Sequence, residues 1–156
     1  MKAIILAAGM GRRLEKLAEN KPKCLLEISN KPILAYQLEA LRKNNIRNVV
    51  IVVGYKKEMI IDFLRSHPVF SKEMNINFVE NTEYQTTNTS YSWWLAKEHI
   101  KDETCVLHLH SDLIFDASLL KAILSSEREN VICIDKNISL NHSMEQVILD
   151  ENGKIV

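Results

Sequence analysis

The chain has 156 residues, of which 46% are hydrophobic and 26% charged, values that are typical of a single globular domain and exclude a mainly disordered chain. Its 20 lysines and arginines balance 20 aspartates and glutamates, so no global positive field attracts nucleic acid or an anionic membrane surface. The longest apolar run, residues 3–8, is far shorter than the roughly 18 residues of a membrane span. Three widely spaced cysteines are typical of a reducing compartment, so we expect a cytoplasmic protein without nucleic-acid or membrane partners.

The predicted elements alternate between strands and helices. Residues 2–8 form an apolar run that ends at Gly9, as in a strand buried on both faces of a parallel sheet. A proline starts the helix predicted over 32–45, whose leucines recur at helical spacing. Further strands are predicted at 48–53, 75–80, 105–110 and 131–135, and further helices at 56–66, 89–100 and 117–126. This alternation predicts an α/β fold, Rossmann-like, with three α/β/α layers and a mostly parallel sheet.

The last residues show a different pattern. Residues 145–149 alternate between apolar and polar, 150–153 carry a turn signal, and 154–156 begin another apolar strand. We therefore expect residues 1–156 to be the N-terminal, nucleotide-binding part of a longer catalytic domain. Unpaired strand edges would favour self-association, so we expect a homo-oligomer.

A glycine-containing loop follows the first predicted strand. Two glycines let backbone N–H groups approach an anion. The dinucleotide fingerprint would need a third glycine at Leu14, and the P-loop motif is absent. A local excess of cations surrounds this loop: Lys2, Arg12, Arg13, Lys16, Lys21 and Lys23, against Glu15 and Glu19. The pattern indicates either a phosphate-binding loop or a solvated basic loop.

Residues 6–14 read Leu-Ala-Ala-Gly-Met-Gly-Arg-Arg-Leu, and Pro22-Lys23 follows. This combination resembles the signature of the NTP transferase family, which includes sugar-1-phosphate nucleotidylyltransferases and phosphocholine cytidylyltransferases. The resemblance implies that Arg13 and Lys23 bind the nucleotide phosphates and carry the catalysis. It further implies a set of residues that lie against the base and the phosphates: Leu6, Ala8, Gly9 and Gly11.

Three potential metal ligands lie near the end of the strand predicted over 105–110. His108, His110 and Asp112 alternate, which places them on one face. A His-x-Asp pair also occurs in mononuclear iron sites, but that site needs a further histidine on a jelly-roll-like scaffold, which the alternating pattern contradicts. The family resemblance instead implies that Asp112 binds catalytic Mg²⁺, at the strand ends where open α/β sheets bind ligands. The alternative for Asp112 is an N-cap of the next helix, for which Asp116 is better placed.

A polar loop, residues 81–90, is rich in amides and hydroxyls that can bind a base edge or a polar substrate. The resemblance implies that Asn81 and Asn88 contact the nucleobase or ribose, and the alternative for Asn88 is a helix N-cap. Four aromatic side chains follow in or near this loop: Tyr84, Tyr91, Trp93 and Trp94. They could hold a quaternary ammonium group or belong to the core.

The resemblance implies an enzyme that transfers NMP from an NTP, with CTP favoured, to a phosphorylated small molecule such as phosphocholine, releasing pyrophosphate. Two alternatives stay open, a sugar-1-phosphate nucleotidylyltransferase and a non-catalytic nucleotide-sensing module. A phosphate acceptor is already anionic at neutral pH because its second pKa is about 6. The absence of an obvious Ser-His-Asp arrangement therefore fits the expected reaction.

Overall fold

A computed structural model describes residues 1–11, 20–135 and 147–154. The chain divides into two compact units, Met1–Ser125 and Ser126–Val156. In the first unit the strands are β1 (Lys2–Ala7), β2 (Glu27–Ile28), β3 (Lys31–Pro32), β4 (Asn48–Val53), β5 (Asn75–Glu80) and β6 (Val106–His110). Its helices are α1 (Ile33–Lys43), α2 (Lys57–Ser66), α3 (Phe70–Glu73), α4 (Thr89–Leu95) and α5 (Ala117–Leu124), with 3₁₀ turns at Lys23–Leu25 and Lys97–His99.

Four strands form one parallel sheet in the order β5-β4-β1-β6. The chain runs from β1 through β4 to β5 on one side, and β6 then pairs with β1 on the other side. The direction of winding therefore reverses at β1. Open α/β sheets bind their ligands at such a reversal, beyond the carboxyl ends of the strands.

Strand β1 is buried on both of its faces. Ala3, Ile5 and Ala7 pack into a core that α1, α2, α3 and α5 cover. Ile4 points to the opposite face, where it packs in a second core with residues of β4 and with Ala96 beside α4. Helices therefore cover both faces of the sheet, and the predicted three-layer α/β/α architecture is confirmed.

The leucines of α1 explain why this helix forms against the sheet. Leu34, Leu38 and Leu41 are completely buried, and they occupy the i, i+4, i+7 positions of one helix face. Burial of each such side chain stabilises the fold by about 1.5–3 kcal/mol. Arg42 and Lys43 lie in the last turn, where positive charge favours the helix C-terminus.

The second unit corrects one prediction. Residues 131–135, predicted as a strand, have no regular secondary structure and are exposed. The prediction was wrong because β-branched residues form a strand only when a neighbouring strand pairs with them, and no strand of the described residues pairs with residues 131–135.

The predicted turn at 150–153 is confirmed. Gly153 has a φ of +74°, and Asp150 Oδ1 accepts hydrogen bonds from the amides of Asn152 and Lys154. Beside it, Leu149 forms only an isolated bridge, and the remaining ends of the predicted hairpin, 145–146 and 155–156, lie outside the described residues. Among the residues that the structure describes, no helix has the length and apolar character that a membrane crossing requires.

Candidate active site

The loops that follow β1, β4 and β6 are joined by backbone hydrogen bonds at the carboxyl edge of the sheet. The Ser111 amide donates to the Leu6 carbonyl at 3.3 Å, which holds the loop after β6 beside β1. The Tyr55 amide donates to the Ala8 carbonyl at 3.0 Å, which holds the loop after β4 on the other side of β1. The loop predicted to bind phosphate therefore starts between two neighbouring loops.

Gly54 allows this close approach. A Cβ atom at position 54 would lie 2.9 Å from the Ala8 carbonyl oxygen and 2.9 Å from the Tyr84 Cβ atom, distances that real side chains do not tolerate. Only glycine therefore fits at position 54 without displacing Ala8. In the sequence, Gly54 follows the strand predicted at 48–53. The spacing of apolar residues does not indicate that this glycine supports the first loop.

Gly11 makes room for Lys23. Its φ is +63°, a left-handed conformation that glycine adopts without strain, and a Cβ atom there would lie 3.0 Å from Lys23 Cγ. At Gly9, by contrast, no described atom lies within 4 Å of the position of a Cβ atom. The first loop therefore combines an open backbone position with a lysine stem packed against its second glycine.

Lys23 lies at the start of a 3₁₀ turn that the core anchors. Cys24 and Leu25 are buried, and the Leu25 amide donates to the Pro22 carbonyl at 2.9 Å. Burial raises the pKa of the Cys24 thiol to about 12. The two-residue strand β2 follows this 3₁₀ turn.

Lys23 and Asp112 form an ion pair across the site. Lys23 Nζ lies 2.6 Å from Asp112 Oδ2, and the two side chains are 29% and 40% exposed. Partial burial raises the pKa of Asp112, but the hydrogen bond and charge of Lys23 outweigh it, with smaller contributions from the Asp112 amide and His110, so that the pKa lies below its ordinary value. Asp112 is therefore an ionised carboxylate at neutral pH.

The resemblance implies that Asp112 is a metal ligand, and its surroundings test whether the site fits an ion. Within the described ranges, no three His, Cys, Asp or Glu side chains lie close enough together to hold an ion. Mg²⁺ is commonly bound by one or two carboxylates together with substrate phosphates. The donor set therefore fits an ion that arrives with a nucleotide, and it does not fit the His-x-Asp iron site considered from the sequence.

A residue that the sequence analysis missed supports the segment containing Asp112. Gln37 of α1 is 1% exposed, and its Nε2 donates to the carbonyls of His110 and Leu113, both at 2.7 Å. The sequence feature that could have indicated this role is a polar glutamine among the leucines of the apolar face of α1. Asp116, the next polar residue after Asp112, is the N-cap of α5, as predicted. Its Oδ1 accepts a hydrogen bond from the Ser118 amide at 2.8 Å.

The two predicted asparagines lie in the loop before α4. Asn81 is 1% exposed; its Nδ2 donates to Thr87 Oγ1 at 3.0 Å and to Ser92 Oγ at 3.1 Å, and its Oδ1 accepts from the Glu83 amide at 2.9 Å. Asn81 therefore holds the loop together. Asn88 is exposed and caps α4 by accepting from the Tyr91 amide at 3.2 Å. Their contacts with a nucleotide stay predictions.

The aromatic cluster divides between core and surface. Tyr84 and Trp93 pack against the core on the α4 side of the sheet. Trp94 is 53% exposed and stacks on Tyr91 with ring centroids 5.7 Å apart. Lys97 Nζ lies 4.3 Å from the Trp94 ring centroid, so a cation from the chain itself already contacts this ring.

Arg13, predicted to contact phosphate, lies outside the described residues, together with Arg12 and Lys16. The structure thus brings together the first loop, Lys23 and Asp112 from the predicted set. The carbonyls of Leu6 and Ala8 accept hydrogen bonds from the two neighbouring loops, and their contacts with a nucleotide stay predictions.

Comparison with known proteins identifies the family. The sequence profile of nucleotidyl transferases matches residues 2–147. The chain belongs to the nucleotidyl transferase family. This membership confirms the resemblance seen in the motif at residues 6–14 and Pro22-Lys23, and the fold agrees with that of solved members.

Several relatives in this family have named activities. Choline-phosphate cytidylyltransferase of Streptococcus pneumoniae is 41% identical over 100 residues, covering 64% of this chain and 41% of that protein. CTP:phosphoglutamine cytidylyltransferase of Campylobacter jejuni is 29% identical over 141 residues, covering 88% of this chain and 53% of the relative. A solved structure of CTP:phosphocholine cytidylyltransferase from Streptococcus pneumoniae superposes with a TM-score of 0.62 and 36% identity, over 75% of this chain and 49% of that one. The chain therefore spans about half the length of these relatives.

Proposed function

We propose that the protein transfers a nucleoside monophosphate from an NTP, with CTP favoured, to a phosphorylated small molecule such as phosphocholine, with release of pyrophosphate. The observation that supports this proposal is the juxtaposition of Lys23 and Asp112, 2.6 Å apart, at the strand ends that also carry the Gly9–Gly11 loop. A cation and a carboxylate beside an open backbone loop suit a bound triphosphate and its metal ion.

The reaction needs alignment more than it needs a base. A phosphate oxygen of the acceptor attacks the α-phosphorus of the NTP, and the bond from that phosphorus to the oxygen that bridges to the β-phosphate breaks. The electron pair of this bond leaves with pyrophosphate. Because the acceptor phosphate has a second pKa of about 6, it is already a nucleophilic anion at neutral pH. The protein must therefore hold two mutually repelling anions in line and offset their charge.

Lys23 supplies that positive charge in this proposal. Its stem packs against Gly11, so its ammonium group lies next to the loop that would cradle the phosphates. In the structure the ammonium group pairs with Asp112, and a bound nucleotide would compete for it. From the sequence, Arg13 is proposed as the second cation on the phosphates.

Asp112 is proposed to hold Mg²⁺, which when bound offsets the charge of the triphosphate and of the leaving pyrophosphate. The lowered pKa of Asp112 supports this role, because the carboxylate needs no deprotonation at neutral pH before it binds a cation. The names of the two cytidylyltransferase relatives support CTP as the nucleotide and a phosphorylated amine or amide compound as the acceptor.

A substrate screen on the full-length protein tests the proposal. Pyrophosphate release is measured for each of the four NTPs with phosphocholine, phosphoethanolamine and sugar 1-phosphates, in the presence of Mg²⁺. We expect the highest rate with CTP and a phosphorylated amine. Faster release with a sugar 1-phosphate would instead assign a sugar-1-phosphate nucleotidylyltransferase, and CTP binding without release would assign a nucleotide-sensing module.

Three further features stay predictions from the sequence. They are a cytoplasmic location, self-association into a homo-oligomer, and the role of residues 1–156 as the nucleotide-binding part of a larger catalytic domain. Free cysteines at positions 24, 105 and 133 are consistent with a reducing compartment. Sedimentation of the full-length protein at several concentrations measures self-association.

A further inference from the structure

Gln37 is a buried polar residue whose side-chain hydrogen bonds, within the described residues, go to the segment that contains Asp112. It lies on the apolar face of α1 with 1% of its surface exposed. Its Nε2 donates two hydrogen bonds of 2.7 Å, one to the carbonyl of His110 and one to the carbonyl of Leu113. These two carbonyls bracket Asp112 in the sequence, so a single amide group holds both ends of the segment.

Side-chain burial does little to hold this segment. Leu113 and Ile114 are 48% and 42% exposed, and Asp112 is also on the surface. The β1–β6 pairing reaches His110, and the Ser111 amide donates to the Leu6 carbonyl at 3.3 Å, so the sheet holds the start of the segment. Beyond Asp112, within the described residues, the bond from Gln37 to the Leu113 carbonyl holds the other end, so the conformation that directs Asp112 toward Lys23 depends on Gln37.

The glutamine at this position brings a cost as well as two hydrogen bonds. Its Oε1 atom is buried and has no hydrogen-bond partner in the described part of the chain, and a buried acceptor without a partner costs free energy. A methionine of similar length would fill the same space without that cost. What only the amide provides is a pair of donors aimed at the two carbonyls.

We propose that Gln37 is a positioning residue for metal–nucleotide binding: it fixes residues 110–113 so that the Asp112 carboxylate faces the phosphate loop. This role rests on the proposed function, because it takes Asp112 as the metal ligand. Residues that orient a metal ligand through hydrogen bonds typically contribute 10- to 100-fold to metal affinity.

The test uses Gln37→Met in the full-length protein, with Asn44→Ala as the matched control. Asn44 is also an amide at the same helix, and its Nδ2 donates two 2.9 Å bonds, to the carbonyls of Ala40 and Ala117. Neither carbonyl belongs to residues 110–113. Both variants lose two bonds from an amide to backbone carbonyls, but only Gln37→Met releases the Asp112 segment.

Two measurements compare these variants with the wild type. Mn²⁺ binding in the presence of a non-reactive CTP analogue, followed by electron paramagnetic resonance, should weaken about tenfold in Gln37→Met and stay unchanged in Asn44→Ala. Hydrogen exchange of the amides at 111–114, measured without metal, should accelerate only in Gln37→Met. Unchanged Mn²⁺ affinity, or an equal loss in Asn44→Ala, would overturn the proposal.

Measuring binding separately from pyrophosphate release distinguishes the two proposals. If the wild type binds Mn²⁺ and the CTP analogue but releases no pyrophosphate from any NTP, the proposed reaction fails while the role of Gln37 is still measured by binding.

The wild type provides a second measurement in case Gln37→Met does not fold. The NMR signals of the Gln37 side-chain amide should shift more than those of Asn44 when Mg²⁺ and the analogue bind, and an unchanged Gln37 signal would contradict the proposal.

Discussion

Replacing Lys23 by methionine separates its proposed catalytic role from its structural role. The ion pair with Asp112 is short, 2.6 Å, but the side chains are 29% and 40% exposed, so solvent screens the interaction. Such pairs contribute about 0–1 kcal/mol to stability, which corresponds to a decrease in Tm of a few degrees at most. Loss of one charge contact in the transition state costs far more, about 100- to 1000-fold in turnover.

Lys31→Met provides the matched control for this experiment. Lys31 Nζ pairs with Glu39 Oε2 at 2.5 Å, and these side chains are 29% and 36% exposed, close to the values for Lys23 and Asp112. Pyrophosphate release and thermal unfolding are measured for both variants of the full-length protein. We expect similar small changes in Tm but a loss of turnover in Lys23→Met alone. Wild-type turnover in Lys23→Met, or an equal loss in Lys31→Met, would refute the phosphate role of Lys23.

Three further predictions concern Asp112 and the cysteines. Asp112→Asn should lower Mg²⁺-dependent pyrophosphate release at least about a hundredfold. An unchanged Mg²⁺ dependence would show that Asp112 is structural and does not bind the metal ion. Because the folded-state pKa of Asp112 lies below its ordinary value of 3.8, its ionisation stabilises the fold above that pH, and this contribution is lost as pH falls through the folded-state pKa. Urea unfolding should therefore show a smaller loss of stability between pH 6 and pH 3 in Asp112→Asn than in the wild type, and an equal loss would contradict the pairing. A thiol reagent at pH 8 should modify the exposed Cys105 and Cys133 rapidly and leave the buried Cys24, whose pKa is raised to about 12, unmodified until the protein unfolds.

The fold could be predicted largely because its central strands carry strong local signals. The β-branched run at 48–53 and the strand at 75–80 have the bounds that the sequence indicated. The helix predicted over 89–100 ends at Leu95 and continues as a 3₁₀ turn, a change of hydrogen bonding that apolar spacing does not reveal. Residues 131–135 show that strand propensity alone is not sufficient, since they form no strand with any strand of the described residues.

The site could be predicted only where a motif marked it. Lys23 and Asp112 were identified separately, yet their 2.6 Å contact joins positions that are 89 residues apart. Gln37 was missed because its partners lie 73 and 76 residues away, and a glutamine in an amphipathic helix has no local feature that distinguishes it. The role of Gly54 could not be predicted, because it depends on the approach of Ala8 and Tyr84. Long-range contacts of this kind arise from topology, which local patterns do not encode.

The central claim is that a metal–nucleotide complex binds at the carboxyl ends of β1 and β6, and iron-directed cleavage of the backbone tests it most directly. Fe²⁺ replaces Mg²⁺ in the full-length protein, ascorbate and peroxide generate radicals at the bound ion, and mass spectrometry locates the cuts. With CTP present, we expect cuts near residues 9–11 and 110–113, absent without CTP and in Asp112→Asn. CTP-dependent cuts elsewhere, or cuts that persist at 110–113 in Asp112→Asn, would contradict the account.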